Sequence, residues 1–116
     1  MQALVIEGMH PLRGSAEVHG SKNGVLPLLA ASLLAPGTTV LHRCPRLTDV
    51  QTTVAILQCL GAACCREGDT LRIDATDARG VEIPEGLMRR QRASVLFLGA
   101  LLARHGEAIL STPGGC

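Results

Sequence analysis

From Asn23 to Leu41 the chain carries no Lys, Arg, Asp or Glu. Within that run Val25, Leu26, Leu28, Leu29, Leu33 and Leu34 cover most of a helix's circumference. A helix that is apolar nearly all round has to be buried. Pro27 is expected near the first turn, where backbone donors lack partners anyway, and Ala35-Pro36-Gly37 ends the helix. The apolar centre falls far short of the ~20 residues a membrane-spanning helix needs. The rest of the chain must therefore supply the elements that cover it.

Those elements are readable in outline. Ala3 to Ile6 is expected to be a short strand, followed by a turn over Gly8 to Pro11, and Gly14 to His19 a second strand in which Ala16 and Val18 alternate with polar residues. Gly20-Ser21-Lys22-Asn23-Gly24 opens the apolar helix, and Thr38 to Leu41, rich in β-branched residues, makes the third strand. Thr48 and Gln51 have the spacing of a capping box. The helix they open places Val50, Val54, Leu57 and Leu60 on one face, and Gly61 closes it. Strands around Ala63–Arg66 and Thr70–Asp74 flank the hairpin signal Glu67-Gly68-Asp69. A linker through Pro84 leads to a third helix, Gly86 to Arg104, and Ala108 to Leu110 is a last strand. The alternation predicts helices packed on a sheet, an α/β (α+β) chain.

Composition narrows the function classes. At 116 residues, with 47% hydrophobic and 18% charged residues, the chain is too apolar to be intrinsically disordered and is short enough for one domain. A formal net charge of +1 removes the electrostatic argument for nucleic acid or an anionic membrane, and a single Phe with no Tyr or Trp removes base stacking. Met1 to Gly8 contains Glu7 and lacks the basic start of a signal peptide, so a cytoplasmic location is expected. Five cysteines, Cys44, Cys59, Cys64, Cys65 and Cys116, form no metal-ligand spacing. The first four read as small core residues, with Cys64 and Cys65 on opposite faces of a strand.

Three places could carry chemistry. Lys22, the single lysine among the basic residues, stands with Asn23 at the mouth of a helix, where amide dipoles and an ammonium together suit an anion. Spacing alone fits a solvated lysine beside a turn better than it fits an anion site. Arg92-Ala93-Ser94 follows Arg89 and Arg90, and Arg89 and Arg92 share a helix face, which also describes a solvated basic stripe. Cys116 follows Gly114-Gly115, which let a backbone approach a ligand and leave a thiol uncovered. His10, His19, His42 and His105 have no partner spacing and read as structural or exposed.

The run Gly20-Ser21-Lys22-Asn23-Gly24-Val25-Leu26-Pro27 resembles the Lys-Asn motif of the UDP-N-acetylglucosamine 1-carboxyvinyltransferase (enolpyruvyl transferase) family. Arg92-Ala93-Ser94 and Thr112-Pro113-Gly114-Gly115-Cys116 fall in that family's order and intervals, as do Pro45 to Val50 and Leu60-Gly61-Ala62. The resemblance implies transfer of the enolpyruvyl group of phosphoenolpyruvate to the 3-hydroxyl of UDP-N-acetylglucosamine with release of phosphate, the first committed step of peptidoglycan synthesis. It implies that Lys22 and Asn23 hold phosphoenolpyruvate, that Arg92 binds near the nucleotide sugar, and that Cys116 is the general acid and the residue alkylated by fosfomycin. No metal or cofactor is implied; the partners are the two substrates and the remainder of an enzyme chain.

The implied fold is an inside-out α/β barrel of βαβαββ units in two globular domains. On that pattern residues 1–13 are the first strand and linker of the other domain, and 14–116 begin one domain, with a complete unit over 14–74 and a partial one over 75–116. Family members run several times this length, so the chain is expected to be an N-terminal portion that stops at the catalytic cysteine. The alternatives are an inactive truncated piece with weak anion binding and a shikimate-pathway enolpyruvyl transferase, which has Lys-Ser where this chain has Lys22-Asn23. A half-built sheet with an uncovered apolar helix is also expected to aggregate.

Overall fold

A computed structural model of the chain describes residues 2–91 and 95–111. The elements are α1 (Lys22–Ala31), β1 (Thr38–Leu41), α2 (Thr48–Cys59), β2 (Ala63–Glu67), β3 (Thr70–Asp74), α3 (Glu85–Met88) and α4 (Leu96–His105). The mixed helix-and-strand class expected from the sequence is the one that forms. Its sheet has the order β1-β3-β2, and both pairings are antiparallel. Thr39, Ile73 and Cys64 lie in register across the three strands, as do Val40, Arg72 and Cys65 one residue on. Ile73 and Leu71 are buried, whereas Val40, Arg72 and Cys65 face outward, so one side of the sheet carries the core.

The helices cover that side. Val25, Leu26, Leu29 and Ala30 of α1 are buried, with Val50, Ile56 and Leu57 of α2 and Phe97, Ala100 and Leu101 of α4. Arg104 of α4 donates to the carbonyls of Leu33 at 3.3 Å and Thr76 at 3.4 Å, which ties the chain after α1 to the segment after β3. Gly61 closes α2 as expected, at φ +102°. A Cβ there would stand 2.9 Å from the Asp77 carbonyl, so a side chain is excluded by both conformation and space.

Several sequence expectations are corrected. Ala3–Ile6 and Gly14–His19 are not strands; residues 2–20 are irregular and exposed, with Leu4 at 87% and Val18 at 85% of full exposure. Alternation prepares a segment for a sheet, but a strand exists only when a neighbour pairs with it, and neither segment has one here. The unit over 14–74 therefore lacks its opening strand. Pro27 lies inside α1, past its first turn, so the Asn23 carbonyl loses the donor that residue 27 would otherwise give it. Both residues are exposed, so that carbonyl lies where solvent can reach it.

The capping box does not form. Leu47 is the N-cap, at φ −120° and ψ 151°, its carbonyl accepting from Gln51 at 3.1 Å, and no side chain caps α2. Thr48 is already helical and cannot take the extended backbone the box needs. The single helix expected over Gly86–Arg104 is two helices, α3 and α4. Between them Gln91 is buried and donates to Thr53 at 2.6 Å, drawing the chain onto α2. The strand expected at Ala108–Leu110 is a single parallel bridge from Ile109 to Glu82. Leu28 and Leu34 are 53% and 50% exposed, because α2 and α4 cover α1 on one side only.

Of the cysteines expected in the core, Cys44 is buried and Cys64 half-buried, whereas Cys59 at the end of α2 and Cys65 on the outer sheet face are exposed. Cys64 and Cys65 do lie on opposite faces. Burial pushes the Cys64 thiol up to about 11. At pH 8 iodoacetamide should label Cys59 and Cys65 well before Cys64, as peptide mass spectrometry over a time course will show. Labelling of Cys64 first would contradict its placement. The sign for stability follows: a thiol raised on folding adds nothing below its ordinary range, and stability falls as pH rises from about 9 toward 11.

Candidate functional site at the mouth of α1

The chain enters α1 by a close approach of two backbones. A Cβ on Gly20 would stand 2.5 Å from the Arg43 carbonyl, and Arg43 itself holds a left-handed backbone at φ 56°. Only glycine at position 20 lets the two segments meet. Gly20→Ala should lower stability by about 1–3 kcal/mol, read from the denaturant midpoint, and an unchanged midpoint would refute the contact. Ser21 then caps the helix, its hydroxyl accepting from the Gly24 amide at 3.0 Å. Lys22 and Asn23 are the first two helical residues, and both are exposed.

The N-terminus of α2 lies beside them. Lys22 Nζ is 3.1 Å from Asp49 Oδ2, and Asp49 is an acidic residue in the first turn of α2. Thr53, one turn further on, donates to the Asp49 carbonyl at 2.8 Å and accepts from Gln91. The approach to α2 is fixed from below. Arg66 donates to the carbonyls of Cys44 at 3.0 Å and Pro45 at 3.2 Å, and Arg46 donates to the Gly68 carbonyl at the hairpin tip at 3.0 Å. A cavity of about 220 Å³, lined by Gly20, Ser21, Val25, Leu28, His42 and Arg43 among others, opens behind the entry to α1. Lys22 and Asn23 are not among its lining residues.

Thus the structure keeps Lys22 and Asn23 together at an open helix mouth. Arg92 and Cys116, with the Thr112 to Gly115 loop, lie outside the described residues. The expected shared face of Arg89 and Arg92 therefore also lies outside the described residues; Arg89 itself pairs with Glu85. His42 contacts the Thr70 hydroxyl at 3.3 Å and His105 the Ala78 carbonyl at 3.1 Å, which are structural roles. Sequence reasoning missed Asp49, although an acid in the first turn of a helix was a visible signal, and it missed Thr53 and Gln91, whose pairing spans 38 residues. No group of His, Cys, Asp and Glu among the described residues could hold a metal ion, and none of their helices is long and apolar enough to cross a membrane.

An exposed ammonium at a helix mouth, carried on a helices-on-sheet unit, is an arrangement that suits an anion. The chain belongs to the EPSP synthase (3-phosphoshikimate 1-carboxyvinyltransferase) family, whose pattern it matches over residues 6–116. It is 46% identical over all 116 residues to UDP-N-acetylglucosamine 1-carboxyvinyltransferase 2 of Caldanaerobacter subterraneus. It is 47% identical over 116 residues to the UDP-N-acetylglucosamine 1-carboxyvinyltransferase of Trichlorobacter lovleyi. The chain spans 28% of the length of each of these relatives. It is also similar in fold to part of a solved structure, the enolpyruvyl transferase NikO from Streptomyces tendae, with a TM-score of 0.73 and 27% identity. That match covers 82% of this chain and 22% of NikO.

Proposed function

We propose that this chain is the N-terminal part of an enzyme that transfers the enolpyruvyl group of phosphoenolpyruvate to the 3-hydroxyl of UDP-N-acetylglucosamine, releasing phosphate. The observation that carries the reading is the 46% and 45% identity over the whole chain to transferases of that name. Lys22 and Asn23 hold the phosphoenolpyruvate, Arg92 binds near the nucleotide sugar, and Cys116 is the general acid. Substrate choice separates this reading from the shikimate-pathway enzyme for which the family is named.

The chemistry asks for these residue types. A thiol proton passes to the methylene carbon of phosphoenolpyruvate, and the neighbouring carbon becomes electrophilic. The sugar hydroxyl adds there and gives up its proton, forming a tetrahedral ketal. Phosphate then leaves and a methyl proton is lost, restoring the double bond in the product. Lys22 and Arg92 offset charge on the phosphate and carboxylate as the ketal forms. Cys116 on a glycine loop works as the acid when its pKa lies near the working pH.

The domain reading is part of the same proposal. Residues 1–13 belong with the other domain, and the exposure of Leu4, Val5 and Ile6 supports that, because it leaves their apolar surface without a cover. Residues 14–116 begin one domain. Its exposed Leu28, Leu34, Leu98 and Leu102 are covered by the remainder of the enzyme, the partner this surface suits. The enzyme works in the bacterial cytoplasm, in cell-wall biogenesis and thereby in cell shape, the cell cycle and division, and fosfomycin targets it. It uses no cofactor, nucleic acid or membrane.

The test is intact-protein and peptide mass spectrometry after fosfomycin treatment of the protein at the family's full length. A single adduct on Cys116 is the expected result, with the exposed Cys59 and Cys65 unmodified as internal controls. Modification of Cys59 or Cys65 in place of Cys116, or no adduct, would overturn the assignment.

A further inference from the structure

We propose that Asp49 is a positioning residue for Lys22, holding the ammonium where the phosphate and carboxylate of phosphoenolpyruvate meet it; this rests on the function proposed above. Lys22 is the first residue of α1, and a cation there faces the positive end of its own helix dipole. Its stem is flexible and half exposed, so nothing local holds the amine at the mouth. Asp49 does so across the gap. It sits in the first turn of α2, where the dipole favours an anion, and its Oδ2 is 3.1 Å from Lys22 Nζ.

The geometry leaves room for substrate. An ammonium has three donors, and the pair with Asp49 uses one, so two remain for anion oxygens. The turn that carries Asp49 is itself fastened, because Thr53 donates to the Asp49 carbonyl and Gln91 donates to Thr53. Gln91 directly precedes Arg92 in the chain. One turn of α2 therefore sets Lys22 through a side chain and anchors the residue before Arg92 through another. The opposite role for Asp49, a carboxylate that competes with the incoming anion for Lys22, predicts the opposite sign on substitution.

Steady-state kinetics of the protein at the family's full length decide between them. Asp49→Ala should raise the KM for phosphoenolpyruvate about three- to fivefold while kcat stays within about twofold, the size expected when an exposed ion pair is lost. Asp49→Glu, which keeps the carboxylate, should recover most of the loss. Asp49→Asn, of nearly equal size, should raise KM in the same direction and serves if the alanine variant does not fold. In a Lys22→Ala background Asp49→Ala should add nothing, which a purely structural Asp49 would not satisfy. An unchanged or lowered KM in Asp49→Ala, or a full further loss in the Lys22→Ala background, overturns the proposal. If Lys22→Ala weakens phosphoenolpyruvate binding while Asp49→Ala does not, only the positioning role falls. If Lys22→Ala itself changes nothing, the functional reading falls and takes this one with it.

Discussion

Lys22→Ala in the protein at the family's full length should lower kcat/KM for phosphoenolpyruvate about a hundred- to a thousandfold, the loss typical when one preorganised donor to developing charge is removed. The reasoning starts from the fold. Gly20 and Ser21 bring the chain into α1 so that Lys22 begins the helix at an exposed mouth, and Asn23 follows at once. Nothing in the described core depends on the Lys22 side chain, which is half exposed and pairs with a partly exposed carboxylate. The variant should therefore keep its unfolding midpoint within about 1 kcal/mol, and the loss should appear in substrate binding and turnover. Lys22→Arg, with its charge in a planar fork of a different reach, should recover only part of it. A kcat/KM within twofold of the parent would remove Lys22 from the site.

Leu29→Ala should cost about 3–5 kcal/mol of the chain's stability, whereas Leu28→Ala should cost less than about 1 kcal/mol. The two leucines are adjacent in sequence but opposite in the fold. Leu29 has no exposed surface and meets the facing side of α2 and α4, while Leu28 is 53% exposed. A domain of this size has roughly 5–15 kcal/mol in total, so Leu29→Ala alone brings the folded state close to its limit. Denaturant midpoints of the 116-residue chain read both values. Equal costs would mean that α1 is enclosed all round, as its sequence taken alone suggests.

That contrast also marks how far the sequence carries. Helices α1 and α2, the β2–β3 hairpin and β1 are legible, because apolar spacing and turn residues are local properties of the chain. The opening strands are not, because Ala3–Ile6 and Gly14–His19 alternate correctly but have no neighbour to pair with in this structure. Leu47 rather than Thr48 is the N-cap of α2 because the cap is decided by an extended backbone, which Leu47 has and the helical Thr48 does not. At the site, Lys22 and Asn23 stand out as a lone lysine and an amide beside glycines. Asp49 and Gln91 do not stand out, since what gives them meaning is a second helix N-terminus 27 residues from Lys22 and a hydrogen bond spanning 38 residues. The roles of Arg92 and Cys116 come from family resemblance alone.

The central claim is acceptor choice by an enolpyruvyl transferase of which this chain is the front part. Phosphate release from phosphoenolpyruvate by the protein at the family's full length tests it directly, with UDP-N-acetylglucosamine or 3-phosphoshikimate as the acceptor. Release that requires UDP-N-acetylglucosamine, and stops when Cys116 is alkylated, is the predicted result. Release that requires 3-phosphoshikimate, or that continues after Cys116 is blocked, would contradict it.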